Sequence, residues 1–105
     1  MESFLNFGSM SRHNEQSLKD AIQQMLEAYK LRGRMDELKL ISSWEKVMGP
    51  AVHKRTLDLS IRQQILYVRL ESSALREELS YGREMLIQRL NEEAGTEVIK
   101  QVVFI

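Results

Sequence analysis

Few side chains in this chain could do chemistry, and their spacing restricts it further. There are no cysteines, so disulfides, thiolate metal sites and cysteine nucleophiles are all excluded. His13 and His53 are the only histidines, neither has a second ligand at metal spacing, and no zinc, haem or calcium pattern occurs. No metal and no cofactor are therefore expected. Ser17, Ser72 and Ser73 stand where helix caps are needed, with no nucleophile elbow and no partnering base. Glu77-Glu78 and Glu92-Glu93 are neighbours on helical segments, so each pair points about 100° apart and reads as solvated surface. The five glycines are scattered and make no phosphate-cradling loop. An enzyme is not expected.

Basic residues do gather locally. Lys54-Arg55 precedes a strand pattern, and Arg62 and Arg69 share a strand face with Tyr67. An aromatic beside arginines on an open sheet face is one way in which single-strand binders stack bases. The same residues would also solubilise an exposed β face, and both readings stand. Lys30, Arg32 and Arg34 cluster near the end of a helical pattern, where cations favour the helix dipole. Overall charge is balanced, 15 basic against 15 acidic, so general attraction to nucleic acid is not signalled and any such surface must be a patch.

The elements that would position these residues fit one small domain. At 105 residues and 43% apolar content, one core is available, burying roughly 60–65% of the unfolded surface. No run approaches the ~20 apolar residues of a membrane span and no signal-peptide core is present, so no membrane contact is expected; the lack of cysteine fits a reducing cytoplasm, the expected location. Residues 1–9 fit nothing that follows. Gly8-Ser9 before Met10 reads as a cloning junction or a native disordered tail, leaving residues 10–105 as the domain.

Leu18, Ile22, Met25 and Tyr29 mark one face of a helix from about Ser17 to Leu31, widened by Leu26 and stopped at Gly33. Leu38, Ile41, Trp44 and Met48 mark the buried side of a second helix, from Met35 to Met48, flanked by Leu40 and Val47 and ended by Gly49-Pro50. Trp44 on that stripe reads as core more readily than as an anchor for a docking partner. Leu57, Leu59 and Ile61, then Leu66, Val68 and Leu70, alternate with polar residues as two strands facing one core. Gln63-Gln64 lacks the Asn-Gly chemistry of a tight loop, so a longer or bulged connection is expected. A third helix follows from Ser72 or Ser73. Its apolar stripe Leu75, Leu79, Gly82, Leu86 and Leu90 implies close approach of Gly82 to the sheet, and Gly95 closes it. Val98 to Ile105 then makes a third strand, parallel to its neighbour because the connection is a crossover. The fold class is α+β in the order ααββαβ, with a three-stranded mixed sheet and a long helix on one face.

The run from Trp44 through Gly49-Pro50, Ala51-Val52 and Thr56 resembles the opening of the DciA family of bacterial proteins. The likeness continues through Leu66-Tyr67-Val68, Ser72-Ser73-Ala74-Leu75, Glu78-Leu79-Ser80, Leu90-Asn91 and Gly95, covering about residues 17–105. It implies a K-homology-like domain that serves the replicative DNA helicase at initiation, without an ATPase of its own, and a nucleic-acid-binding surface. Helicase is then the expected partner and single-stranded or forked DNA a further one, with Lys54, Arg55, Arg62, Tyr67 and Arg69 as the candidate contacts. The alternative is a protein-interaction module that binds no nucleic acid. Nucleic-acid-binding K-homology domains carry a GxxG loop; here Gly82 is followed by Arg83, Glu84 and Met85.

Overall fold

A 31-residue helix, α1 (Arg12–Ser42), begins the part of the chain that this computed structural model describes, residues 12–105, with side chains from Glu15 onward. The expected tail at residues 1–9, the start at Met10 and the side chain of His13 lie outside it. Contacts divide the chain into Met1–Arg32 and Gly33–Ile105. The expected cap at Ser17 and stop at Gly33 both fall inside α1. Gly33 has open space where a Cβ would stand, so nothing about its position demands glycine. It costs the helix about 1 kcal/mol against alanine, too little to end a helix this long. The break comes at Ser42-Ser43 instead. Ser42 Oγ donates to the Lys39 carbonyl at 2.9 Å and Ser43 Oγ to the Leu40 carbonyl at 2.6 Å, occupying acceptors of the last turn.

Two short helices follow, α2 (Trp44–Met48) and α3 (Pro50–Lys54). Gly49 joins them at φ 88°, ψ 163°, a region open essentially to glycine alone, and Pro50 starts α3 at a position where its missing N–H costs nothing.

The hairpin pairs β1 (Thr56–Arg62) antiparallel with β2 (Ile65–Leu70), and β3 (Gln101–Phe104) lies parallel to β2, giving the order β1-β2-β3. The connection between β1 and β2 is tighter than expected. Gln63 and Gln64 alone span it, at φ 51° and 64°, both in the left-handed region of a mirror-image hairpin turn. The Gln64 carbonyl accepts the Lys100 amide at 2.8 Å, which ties the turn to the start of β3. An irregularity does occur, but between Thr56 and Asp58. Leu57 is the extra residue there, and it is 58% exposed rather than core.

Ser72 caps α4 (Ser73–Ser80) by accepting the Leu75 amide at 3.2 Å, as expected. The helical run then breaks at Tyr81-Gly82 before α5 (Arg83–Ala94). Gly82 makes no close approach to the sheet; it is exposed, with nothing within 4 Å of a built Cβ. Gly95 closes α5 at φ 84°, as its placement predicts. The third strand is shorter than Val98 to Ile105 because the Val98 and Ile99 amides leave the ladder for Asn91 Oδ1, at 3.0 and 3.1 Å.

The architecture is α+β, helices ahead of a hairpin and a helical crossover into the parallel third strand. Its core joins Leu40 and Trp44 to Leu66, Val68 and Leu70 of β2, Leu86, Leu90 and Ala94 of α5, and Ile99 and Val102. Trp44 is core, as expected, at 1% exposure, and burying an indole contributes about 4–6 kcal/mol of transfer free energy before entropy is counted. Leu40 is fully buried while Leu38 is 66% exposed, so the buried face of α1 at its C-terminal end is offset from the expected stripe.

Three substitutions separate required backbone from permitted backbone. Gly49→Ala should lower the stability of the fold by about 1–3 kcal/mol. Gly82→Ala should leave it unchanged or raise it by less than about 1 kcal/mol, and Gln64→Gly should raise it by about 1 kcal/mol. Urea unfolding midpoints measure all three, and a tolerated Gly49→Ala would contradict the backbone assigned to that junction.

Candidate nucleic-acid interface

Alternation along β2 sends Leu66, Val68 and Leu70 into the core, so Ile65, Tyr67 and Arg69 face the other way. Register extends this outer face across the sheet. Ser60, Tyr67 and Val103 form its central row. Arg62, Ile65 and Gln101 form the row nearest the Gln63-Gln64 turn, and Asp58 stands opposite Arg69 in the row beyond. None of these side chains is buried: Tyr67, Ser60, Ile65 and Val103 are half-buried, and Arg62, Arg69 and Gln101 are exposed.

Tyr67 is the centre of this surface. The Arg62 guanidinium carbon lies 5.4 Å from the Tyr67 ring centroid, a cation–π contact worth about 0.5–1 kcal/mol at an exposed site. Arg62, Gln63 and Tyr67 line a shallow depression beside the turn. Arg62 and Arg69 therefore share a face with Tyr67. Lys54 and Arg55 stand apart from them: Arg55 is at the far end of the hairpin, where its carbonyl accepts the Glu71 amide at 3.1 Å. A seven-residue strand separates Arg55 from Arg62, about 20 Å at strand rise. Lys100 is not among the candidates, yet the hydrogen bond from its backbone amide to the Gln64 carbonyl brings its backbone to the Arg62 end. Its only sequence signal was its place within the expected third strand.

The other polar constellations are structural. His53 Nε2 lies 3.7 Å from Glu45 Oε2, both groups exposed, and Lys46 Nζ bonds Glu93 Oε2 at 3.0 Å across α2 and α5. Such surface pairs contribute roughly 0–1 kcal/mol. Among the described residues no three His, Asp or Glu side chains converge as a metal site, and no helix there is long and apolar enough to cross a membrane. Asn91, named in the sequence only as part of the family likeness, has a structural role that its residue type alone does not reveal. Besides its two amide contacts it donates to the Ile99 carbonyl at 2.9 Å, fastening the loop before β3 onto α5.

A second surface is an apolar groove at the α4–α5 corner, lined by Val47, Met48, Leu79, Met85 and Leu86, with Glu78 and Arg89 among its polar residues. Gly82 also lines it. Met85, at the position of the second glycine of a GxxG loop, is 64% exposed.

The sequence profile described as Dna[CI] antecedent, DciA, matches residues 17–104. The chain belongs to the DciA family. No curated protein sequence matches it. Membership carries a helicase-loader-like role in replication initiation, in a family that is itself non-catalytic. In this DciA-family domain, the outer sheet face and the corner groove are two separate candidate contact surfaces.

Because Arg62 and Arg69 touch the core at no point, Arg62→Ala and Arg69→Ala should each change stability by no more than about 0.5 kcal/mol. Tyr67→Ala, which removes a β-former from the central strand, should cost about 1 kcal/mol. Thermal unfolding of the three variants checks this; a loss of several kcal/mol at either arginine would make that side chain structural.

Proposed function

We propose that this domain is a non-enzymatic, cytoplasmic adaptor that contacts the replicative DNA helicase and holds a short stretch of single-stranded or forked DNA on its outer sheet face. The observation that carries the DNA part is the Arg62 guanidinium over the Tyr67 ring on a face that no element of the Gly33–Ile105 unit buries. A base has a flat π surface whatever its identity, so it stacks on such an aromatic–guanidinium platform without sequence preference. Arg69 on the same strand, with Lys54 and Arg55 farther along toward that end of the hairpin, is suited to meet phosphates on one side of the stacked base. Between residues 54 and 71 there are four basic side chains and two acidic ones, Asp58 and Glu71, a local excess in a neutral chain.

The second reading is a protein-interaction module without nucleic-acid affinity. The corner groove favours it, since apolar side chains around a recess accept a partner's side chain and offer phosphates little.

Anisotropy of a labelled oligothymidylate at two salt concentrations separates the readings. Affinity should fall as salt rises, and Arg62→Ala combined with Arg69→Ala should reduce the salt slope by about 1.4, at about 0.7 per phosphate contact on a single strand. Tyr67→Ala should weaken binding by about 1–3 kcal/mol. If none of these variants alters affinity, the sheet face is not the site. If no DNA is bound while the domain still captures purified helicase, the interaction-only reading holds.

A further inference from the structure

The exposed stripe of α1 within the Met1–Arg32 unit has a partner written into its own sequence. Glu15, Leu18, Ile22, Met25, Tyr29 and Arg32 follow one another at intervals of 3, 4, 3, 4 and 3, an unbroken 3.5-residue repeat. That spacing suits a helix packing along a second helix, with Leu26 beside the seam. Most of the seam is uncovered: Ile22 is 41%, Met25 69% and Tyr29 79% exposed, and Leu26 beside them is 49% exposed, while Leu18 is half-buried.

We infer that the seam pairs antiparallel with the same seam of a second copy of this chain. When the helix is laid against its own reverse about a point between Gln23 and Gln24, every layer finds a complement. Glu15 meets Arg32, Leu18 meets Tyr29, Ile22 meets Met25, and the same three layers repeat in reverse. Both charged layers then join opposite charges at the ends of a wholly apolar centre. Parallel pairing would instead place Glu15 on Glu15 and Arg32 on Arg32, like charges within the seam. Ala21 and Ala28 flank the stripe and leave room for the second backbone. Only four apolar seam residues per copy, Leu18, Ile22, Met25 and Tyr29, stand at the contact, a short seam against the ~1,200 Å² at which specific interfaces usually begin, so the dimer is weak and depends on concentration.

Sedimentation over a range of concentrations reads the association, and cysteines introduced into this cysteine-free chain read its direction. The expected result is a monomer–dimer equilibrium in which a mixture of the Leu18→Cys and Tyr29→Cys chains forms a mixed disulfide under mild oxidation, while neither chain cross-links to itself. In the antiparallel pair the two Leu18 positions are about 16 Å apart along the axis, eleven residues at helical rise. Glu15→Arg or Arg32→Glu alone should weaken the dimer roughly five- to tenfold, and the two combined should restore it. Far-UV circular dichroism confirms that each variant keeps its helix. A monomeric mass at every concentration overturns the inference and leaves the seam to a helix of another protein. Self-cross-linking of Leu18→Cys, or no rescue by the double charge reversal, overturns the antiparallel arrangement.

Discussion

The Trp44 indole N–H donates to Thr56 Oγ1 at 3.0 Å, and that hydroxyl donates onward to the Val52 carbonyl at 2.8 Å. A buried indole needs a partner for its N–H, and leaving it unpaired would cost about 1–3 kcal/mol. The hydroxyl that satisfies it has to turn inward at the first residue of β1. The chain must then reach Asp58 on the outer face, and the bulge at Leu57 is how it does so. The same hairpin end gathers further ties: the Leu70 carbonyl accepts Arg76 Nη1 at 2.8 Å, and the Leu70 amide donates to the Ile105 carbonyl at 3.0 Å. The indole joins α2, α3 and the start of β1, and the bonds at Leu70 bring the first turns of α4 and Ile105 to the same hairpin end.

Functional consequences follow from that fixed end. With Thr56 pinned, the pairing of Ser60 with Tyr67 and of Arg62 with Ile65 is determined along the strand, and Tyr67 can only face outward. At the opposite end the strained Gln63-Gln64 turn and its bond to Lys100 hold β3 against β2. Asn91 supplies the third tie, converting what would be strand into a loop sewn onto α5. The core is therefore one-sided. It covers the inner face with α5 and leaves an aromatic, two arginines and a depression on the outer one.

Much of this was legible in the residues. Alternation at Leu59, Ile61, Leu66, Val68 and Leu70 gave the hairpin and its inner face, and Ser72 and Gly95 marked helix ends by their side-chain chemistry. Several misses share a cause: a local signal was overruled by a distant or tertiary contact. Leu57 fits the alternation perfectly well and is exposed because Trp44, twelve residues before Thr56, claims the hydroxyl next to it. Gln63 and Gln64 carry no turn signal, but the register of two apolar strands outweighs about 1–2 kcal/mol of left-handed strain at each residue. Gly33 reads as a stop only if nothing continues the helix beyond it, whereas Leu40 and Trp44 draw the following turns into the core. Arg62, Tyr67 and Arg69 could be grouped from period-two spacing alone. The separation of Lys54 and Arg55 from Arg62 required the length of the strand between them.

A nuclear magnetic resonance titration with oligothymidylate would test the outer face most directly, because it reads position as well as affinity. Resonances of Ser60, Arg62, Tyr67, Arg69 and Val103 should shift together and saturate together, with those of Leu66, Val68 and Leu90 unmoved. Shifts centred instead on Gly82 and Met85 at the α4–α5 corner, or none at saturating oligonucleotide, would contradict a nucleic-acid role for this side of the sheet.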